Sequence, residues 1–310
     1  MLSEADYVTR IQKVLEKYQA PVDLSDDCAY LRENTALITT DALVEGVHFD
    51  LERDSLEQIG AQAAVANLSD VASSGGLPGW LVWSVILPPN FPVESFEQIC
   101  EGFVKTAAQC GAKVVGGNLT VKKMPLTLAV TAGGDLAGKA PLLRSQAKEG
   151  DDLYVSGLVG DAGLIFTCPN AKDFDELLLA RHAWRPHFKE AALLTQTKGC
   201  HAAMDISDGL CLDASRMAKA SGLVVEIDSS LIPTSELYKK HLSTPIPAMT
   251  GGEDYVLLFA SNEKPPFNAY RVGKFRKPMS TESAGTLLVD GEKPTFSLGY
   301  DYFTYNAVKS

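Results

Sequence analysis

The sequence predicts an α/β (α+β) protein in two domains. Its 310 residues exceed what one hydrophobic core commonly organises. Apolar runs of strand length alternate with amphipathic stretches of helix length along the whole chain. A glycine-bearing passage from Gly138 to Gly150 separates two such series, which places the domains at residues 1–140 and 141–310.

Composition narrows the function. With 45% hydrophobic and 22% charged residues the chain is an ordinary globular protein. A formal charge of −11, with no Lys/Arg cluster longer than a pair, argues against nucleic acid or an anionic membrane as partner. No window approaches the roughly 18 unbroken apolar residues of a membrane helix. Met1 to Tyr18 shows no continuous apolar core, so a signal peptide is not expected. The six cysteines form no C-x-x-C pair and no ligand-like rhythm with the five histidines, and read as reduced thiols of a cytoplasmic protein. If so acidic a chain handles an anionic substrate, a divalent cation held by clustered aspartates is the expected mediator.

Residues 3–19 have the spacing of an amphipathic helix, with Ser3 and Asp6 placed as a capping box and Val8, Ile11, Leu15 and Tyr18 on a packing face, ended by Pro21. A polar turn, Asp23 to Ala29, carries the adjacent carboxylates Asp26 and Asp27, and such a pair in a loop is by itself usually just solvated. Thr35 to Asp41 reads as a strand ending in Thr39, Thr40 and Asp41, the hard oxygen donors that Mg²⁺ sites use. Past it, His48 reads either as a core histidine or as a surface one.

Ser55 and Gln58 open a second helix as a capping box, and an alanine-rich run from Ile59 to Ala66 allows close backbone approach. Asn67-Leu68-Ser69-Asp70 then interrupts the apolar run at a cost in helix propensity, as expected at a site, with a polar helix face as the simple rival. Trp80 to Leu87 is an apolar strand stopped by Pro88-Pro89. Ser95 and Gln98 are placed to cap a third helix ending at Gly111. Lys113 to Thr120 is a strand whose Gly116-Gly117 would let backbone come near a ligand, followed by a strand from Leu126 to Thr131.

The second domain opens with a strand, Asp152 to Ser156, and a glycine-rich turn, Gly157 to Leu164, that is neither G-x-G-x-x-G nor a Walker A loop. Residues 175–198 read as helical, broken at Pro186. Next, Met204-Asp205-Ile206-Ser207-Asp208-Gly209-Leu210 reads as a strand end delivering two carboxylates and a hydroxyl into a helix start. Ser207 or Asp208 is the expected N-cap of a helix from Leu210 to Ala220; such a junction suits phosphate or a phosphate-bound metal, although taken alone a capped helix with a tight turn is the plainer reading. Val224 to Ile227 reads as a strand. Gly251-Gly252-Glu253-Asp254-Tyr255 precedes a buried strand, and the C-terminal region ends in an aromatic motif beginning Gly299-Tyr300.

In their order, Asp26-Asp27-Cys28-Ala29, Thr39 to Phe49, Asn67-Leu68-Ser69-Asp70, Gly116-Gly117-Asn118-Leu119-Thr120, Arg144-Ser145, Asp205 to Gly209, and Gly251 to Tyr255 resemble the thiamine-monophosphate kinase family, of the aminoimidazole-ribonucleotide-synthetase-like superfamily. The resemblance spans nearly the whole chain. It implies a homodimer whose N-terminal mixed sheets, each backed by helices, pair into a barrel, and a C-terminal α/β domain beside it that completes a cleft for ATP and the thiamine ester. By position it implies Asp27, Thr39, Thr40, Asp41, Asp70, Asn118, Asp205 and Asp208 as holders of several Mg²⁺ ions. Gly117, Asn118, Ser207 and Arg144 would contact ATP, Arg144 and Asp208 would serve the phosphoryl transfer, and His48, Glu253 and Tyr300 would contact thiamine monophosphate.

Two departures stand out. The family's glycine turn commonly reads Gly-Gly-Asp-Thr-Thr where this chain has Asn118 and Leu119, so the site is expected to hold Mg²⁺ more weakly or with fewer ions. The first acidic motif has Asp23-Leu24-Ser25 in place of flanking glycines. The alternatives are another ATP-using enzyme of the superfamily, or a catalytically weakened nucleotide or thiamine-ester binder.

Overall fold

Local sequence rules build most of the elements. The computed structural model describes residues 4–17, 26–31 and 35–300. In chain order these are α1 (Glu4–Leu15), β1 (Ala29–Leu31), β2 (Ala36–Val44), α2 (Leu56–Ser73), β3 (Trp80–Leu87), α3 (Val93–Cys110), β4 (Lys113–Val121) and β5 (Thr127–Asp135). After a 3-10 turn at Arg144–Gln146 come β6 (Asp152–Val155), α4 (Leu164–Thr167), α5 (Phe174–Arg181), α6 (Phe188–Leu194), β7 (Cys200–Asp205) and α7 (Leu210–Ala220). β8 (Val224–Ile227), α8 (Glu236–His241), α9 (Ile246–Thr250), β9 (Leu257–Ser261), β10 (Tyr270–Arg276) and β11 (Leu287–Val289) complete the chain.

The strands form two mixed sheets. The first has the order β1-β2-β5-β3-β4, antiparallel except for the parallel β3–β4 pair. The second has the order β11-β8-β10-β6-β9-β7, antiparallel except for β11–β8. Helices α2 and α3 cover one face of the first sheet, where Trp83 stacks on Phe103 at 4.2 Å between ring centroids. Tyr255, Trp184 and Phe188, from the second half of the chain, pack into that same core.

Helix α2 is the hinge of this arrangement. It touches β2 and β5 of the first sheet and also β7 and α6 of the second half. The Ser55–Gln58 capping box forms as expected, and the helix runs unbroken through Asn67, Ser69 and Asp70. Its small residues bring α3 so close that a Cβ added to Gly60 would overlap the Ile99 carbonyl, and one added to Gly102 the Glu57 carbonyl.

Three local expectations change. Helix α3 starts at Val93 behind Pro92, whose φ of −62° and extended ψ begin the helix without a side-chain cap, so Ser95 lies inside the first turn. Helix α7 has Gly209, at φ 120°, in the N-cap position with no side-chain cap, in place of Ser207 or Asp208. The face of α1 expected to pack leaves Ile11 51% exposed, while Ser3 and Tyr18 lie outside the described residues.

Because the α2–α3 crossing has no room for a methyl group, Gly60→Ala and Gly102→Ala should each destabilise the protein by about 1–3 kcal/mol or more, read as a lower urea midpoint with an unchanged m-value.

Candidate active site

Three carboxylates from three distant segments converge. Asp27 precedes β1, Asp70 sits in the last turn of α2, and Asp205 ends β7; one oxygen of each lies within 4.8 Å of the others. Hydroxyls hold them in place. Thr39 donates to Asp70 at 2.7 Å, Ser69 to Asp205 at 2.5 Å and Ser73 to Asp27 at 2.8 Å. The Asn67 side-chain carbonyl accepts the Asp41 amide at 3.1 Å, tying β2 to the same helix. The polar residues that interrupt the alanine-rich run are therefore the side chains that orient the cluster.

The electrostatics are those of a cation site. Burial, reinforced by the charges of Asp41, Asp205 and Asp27, pushes the Asp70 carboxyl well above the carboxylate range. Burial and Asp27 do the same to Asp205. Burial and Asp27 lift Asp26 to about 7 against the pull of Arg144. Arg144, from the 3-10 turn, forms an ion pair with Asp27 and lies 3.9 Å from Asp26. Carboxylates and a hydroxyl make an all-oxygen donor set that fits a hard divalent cation such as Mg²⁺, and a cation is what their mutual repulsion calls for.

Beside the cluster, three turns interlock through backbone. The Glu253 amide donates to the Ser207 carbonyl at 2.8 Å and the Tyr300 amide to the Asp208 carbonyl at 2.9 Å. Gly252 and Gly299 permit this, since a Cβ on either would overlap the Ser207 or Asp208 carbonyl. Glu253 itself sits at φ 66°, a left-handed conformation that a non-glycine side chain adopts at a cost. Asp208 pairs with Arg216, which also bridges to Asp213 at 2.9 Å. The Asp213 carboxylate accepts the Ser207 and Asp208 amides at 3.2 and 3.1 Å, and burial with the charge of Asp208 lifts it to about 7.

His48 lies in the turn after β2. Its Nδ1 accepts the Val44 amide at 3.0 Å, so the neutral ring carries its proton on Nε2. Burial lowers its pKa, although the nearby Asp208 opposes this. The Glu253 carboxylate accepts from Gln62 at 2.7 Å and pairs with Arg181.

Not all the expected site residues meet. Strand alternation puts Thr39 and Asp41 on the α2 side of the sheet and Thr40 on the other, where its hydroxyl donates to the Val130 carbonyl and accepts from Thr131. Asn118 shares that outer face, in the row Ala42–Ala129–Ser84–Asn118. It stands three strand spacings from β2, roughly 14 Å, and on the face away from the carboxylates. Gly117 lies against Trp83, whose indole fills the space a Cβ would need. Ser69, Ser73, Asp213, Gln62 and Arg181 also contact these site groups, and of the five only Ser69 lies in one of the motifs read from the sequence. For Asp213 a signal existed: an acid in the first turn of a helix that follows Ser207-Asp208-Gly209.

The chain matches the family described as AIR synthase related protein, N-terminal domain, over residues 25–136, and its C-terminal counterpart over residues 148–289. It is therefore a two-domain protein of the AIR synthase related class. Thiamine-monophosphate kinase of Aquifex aeolicus is 33% identical over 306 residues, covering 94% of this chain and 95% of that protein. A solved structure described as "AaThiL complexed with AMPPCP and TMP" superposes with a TM-score of 0.85 at 31% identity, covering 97% of each chain. The E. coli hydrogenase maturation protein HypE shares the fold alone, with a TM-score of 0.67 at 19% identity over 94% of this chain and 98% of that one. The chain belongs to the thiamine-monophosphate kinase family and is a kinase.

The raised carboxyls fix the sign of a pH effect. A carboxyl whose folded pKa lies above the unfolded 3.8 contributes stability that is complete below 3.8 and is lost as pH rises toward its folded value, about 7 for Asp26 and Asp213. In EDTA the melting temperature should fall between about pH 5.5 and about pH 7.5 more steeply than in millimolar Mg²⁺, and the rise on adding Mg²⁺ should be larger at the higher pH. Differential scanning fluorimetry across that grid measures both.

Proposed function

We propose that the protein transfers the γ-phosphoryl group of ATP to thiamine monophosphate, giving thiamine diphosphate and ADP. The observation that carries this reading is the convergence of Asp27, Asp70 and Asp205, oriented by Thr39, Ser69 and Ser73, in a kinase of this family. The relative described as complexed with AMPPCP and TMP supports the choice of donor and acceptor.

The chemistry asks little of a base. The acceptor is a phosphomonoester with a second pKa of about 6, so it is already largely ionised at neutral pH. The obstacle is repulsion between two anions, roughly 1 kcal/mol per unit pair at 4 Å in water and about 4 near a protein surface. Mg²⁺, when bound by Asp27, Asp70 and Asp205 with Thr39 and Asp41 beside them, supplies the neutralising charge. Arg144 is placed at the same cluster and would contribute a second positive charge at the transferring group. Direct in-line transfer follows, by positioning and charge neutralisation, with no phosphoenzyme.

The other residues divide by place. His48 would offer its Nε2–H, and Glu253 and Tyr300 their turn, to the thiamine ester. Asp208 and Ser207 would face the nucleotide and its metal. Residues 1–140 would supply metal and nucleotide binding and dimerisation, and 141–310 the rest of the cleft, in a homodimeric cytoplasmic enzyme. Asn118 and Thr40, on the sheet face that carries no helices, would act at a site through pairing of that face with a second copy, and Gly117, in the row of Trp83 on the exposed edge strand β4, would lie beside them. Asn118, uncharged there, would hold Mg²⁺ less firmly than an aspartate.

³¹P NMR of the protein with ATP, Mg²⁺ and thiamine monophosphate should show thiamine diphosphate and ADP growing together. Asp70→Asn, close in shape but one charge poorer, should lower the rate at least about a hundredfold. ADP with inorganic phosphate and no thiamine diphosphate would overturn the acceptor assignment.

A further inference from the structure

Arg181, at the end of α5, is 1% exposed, and a guanidinium so buried is costly unless its charge and its donors are met. Its partners come from three separate turns. The Nη2 group pairs with the Glu253 carboxylate and donates to the His48 carbonyl at 3.2 Å, and Nη1 donates to the Ala162 carbonyl at 3.3 Å. The guanidinium also lies 4.9 Å from the Phe166 ring centroid and 5.9 Å from that of Trp184. Gln62 repeats the same bridge from α2, donating to both the Glu253 carboxylate at 2.7 Å and the His48 carbonyl at 3.3 Å. Trp184 closes the frame by donating its indole N–H to the Glu253 carbonyl at 2.8 Å.

We infer that Arg181 is the positioning residue of the acceptor pocket, fixing the His48 turn of the first half against the strained Glu253 turn of the second so that both meet the thiamine ester in one geometry. The inference rests on the reading that thiamine monophosphate is the acceptor and that His48 and Glu253 face it. Arg181 itself touches no reacting atom. Its planar fork reaches one carboxylate and two carbonyls together, which the single ammonium of a lysine cannot do. The sign of the effect separates positioning from charge. The thiazolium of the acceptor is cationic, and burial already raises the Glu253 carboxyl against the pull of Arg181, so if Arg181 acted only through its charge, removing it would leave the pocket no more repulsive to the ligand and would not weaken binding. A lost frame weakens it.

The test is steady-state kinetics of Arg181→Met and Arg181→Lys beside the wild type, with the KM for each substrate determined separately and thermal melts of all three proteins. We expect Arg181→Met to raise the KM for thiamine monophosphate about tenfold or more with the KM for ATP within about twofold, and Arg181→Lys to fall between it and the wild type. An unchanged or lowered KM for thiamine monophosphate in a folded variant overturns the inference. So does a fall in kcat with a parallel rise in both KM values and a lowered melting temperature, which marks a packing role. Should Arg181→Met fail to fold, Arg181→Lys decides alone, a raised acceptor KM supporting the inference and an unchanged one overturning it. An inactive wild type would overturn the acceptor reading and the inference with it, whereas an active wild type with indifferent variants overturns the inference alone.

Discussion

The organising constraint is the repulsion among carboxylates that the fold forces together. Asp27, Asp70 and Asp205 arrive from a turn before the first sheet, from α2 and from the end of a strand in the second sheet. None could be brought to this spot without its own compensating donor. Thr39, Ser73 and Ser69 supply one each, and the Arg144 guanidinium answers Asp27. Three of these partners or ligands, Ser69, Asp70 and Ser73, lie on α2, which explains why a helix buried between the two halves carries polar side chains at all. A buried hydroxyl is tolerated where it is bonded, and here Thr39, Ser69 and Ser73 each have a carboxylate as a partner.

The same constraint shapes the neighbouring turns. Asp205 ends β7, and the chain must then leave the cluster without adding another unpaired charge to it. It does so by folding Ser207 and Asp208 over the buried Asp213 carboxylate, with Arg216 shared between Asp208 and Asp213. The Gly251–Tyr255 and Gly299–Tyr300 turns then stack on that backbone through Glu253 and Tyr300 amide bonds. Left-handed φ values of 66° at Glu253 and 50° at Tyr255 are the local cost, of order 1–3 kcal/mol each, and the surrounding bonds offset it.

What was legible in the sequence was local. Thr39, Asp41, Asp70 and Asp205 stand out because hard oxygen donors at strand ends and inside an apolar helix violate local preference, and such violations gather at sites, whereas Asp27, in a polar turn, is marked only by the family motif. The Ser55–Gln58 cap and the strands Trp80–Leu87 and Val224–Ile227 likewise follow from neighbours in the chain. The faces of the first sheet were harder. Thr39 and Thr40 are adjacent in the motif, yet a period of two sends them to opposite sides. Asn118 depends on strand order, since β5 and β3 separate β4 from β2, and order is fixed by pairings far apart in sequence. Arg181 gave no signal, being one basic residue in a helical stretch. Its role depends on His48, 133 residues earlier, and on Glu253. The missed start of α3 has a simpler reason: Pro92 begins a helix without any side-chain cap.

On the proposed reading, the aspartate cluster and the Arg181–Glu253 frame would divide the work of one reaction by charge. At the aspartate cluster the charges are strong, close and short of cations, so binding there is governed by how many positive charges arrive. At the Arg181–Glu253 frame each buried charge faces an opposite one, so on the proposed reading the wall would select more by shape and hydrogen bonding than by net charge. That separation suits a substrate with a dianionic phosphate at one end and a cationic ring at the other. A free arginine beside the ring would repel it and a free glutamate would hold it too indiscriminately. On the proposed reading, recognition would fall to the positions of His48 and Glu253, and α2 ties those two together through Gln62. The helix that carries Ser69, Asp70 and Ser73 to the metal end also carries Gln62 to the frame. Its close packing on α3 at Gly60 and Gly102 fixes both ends at once, so the spacing between the proposed phosphate and ring sites would be set by one rigid helix and not by either sheet alone.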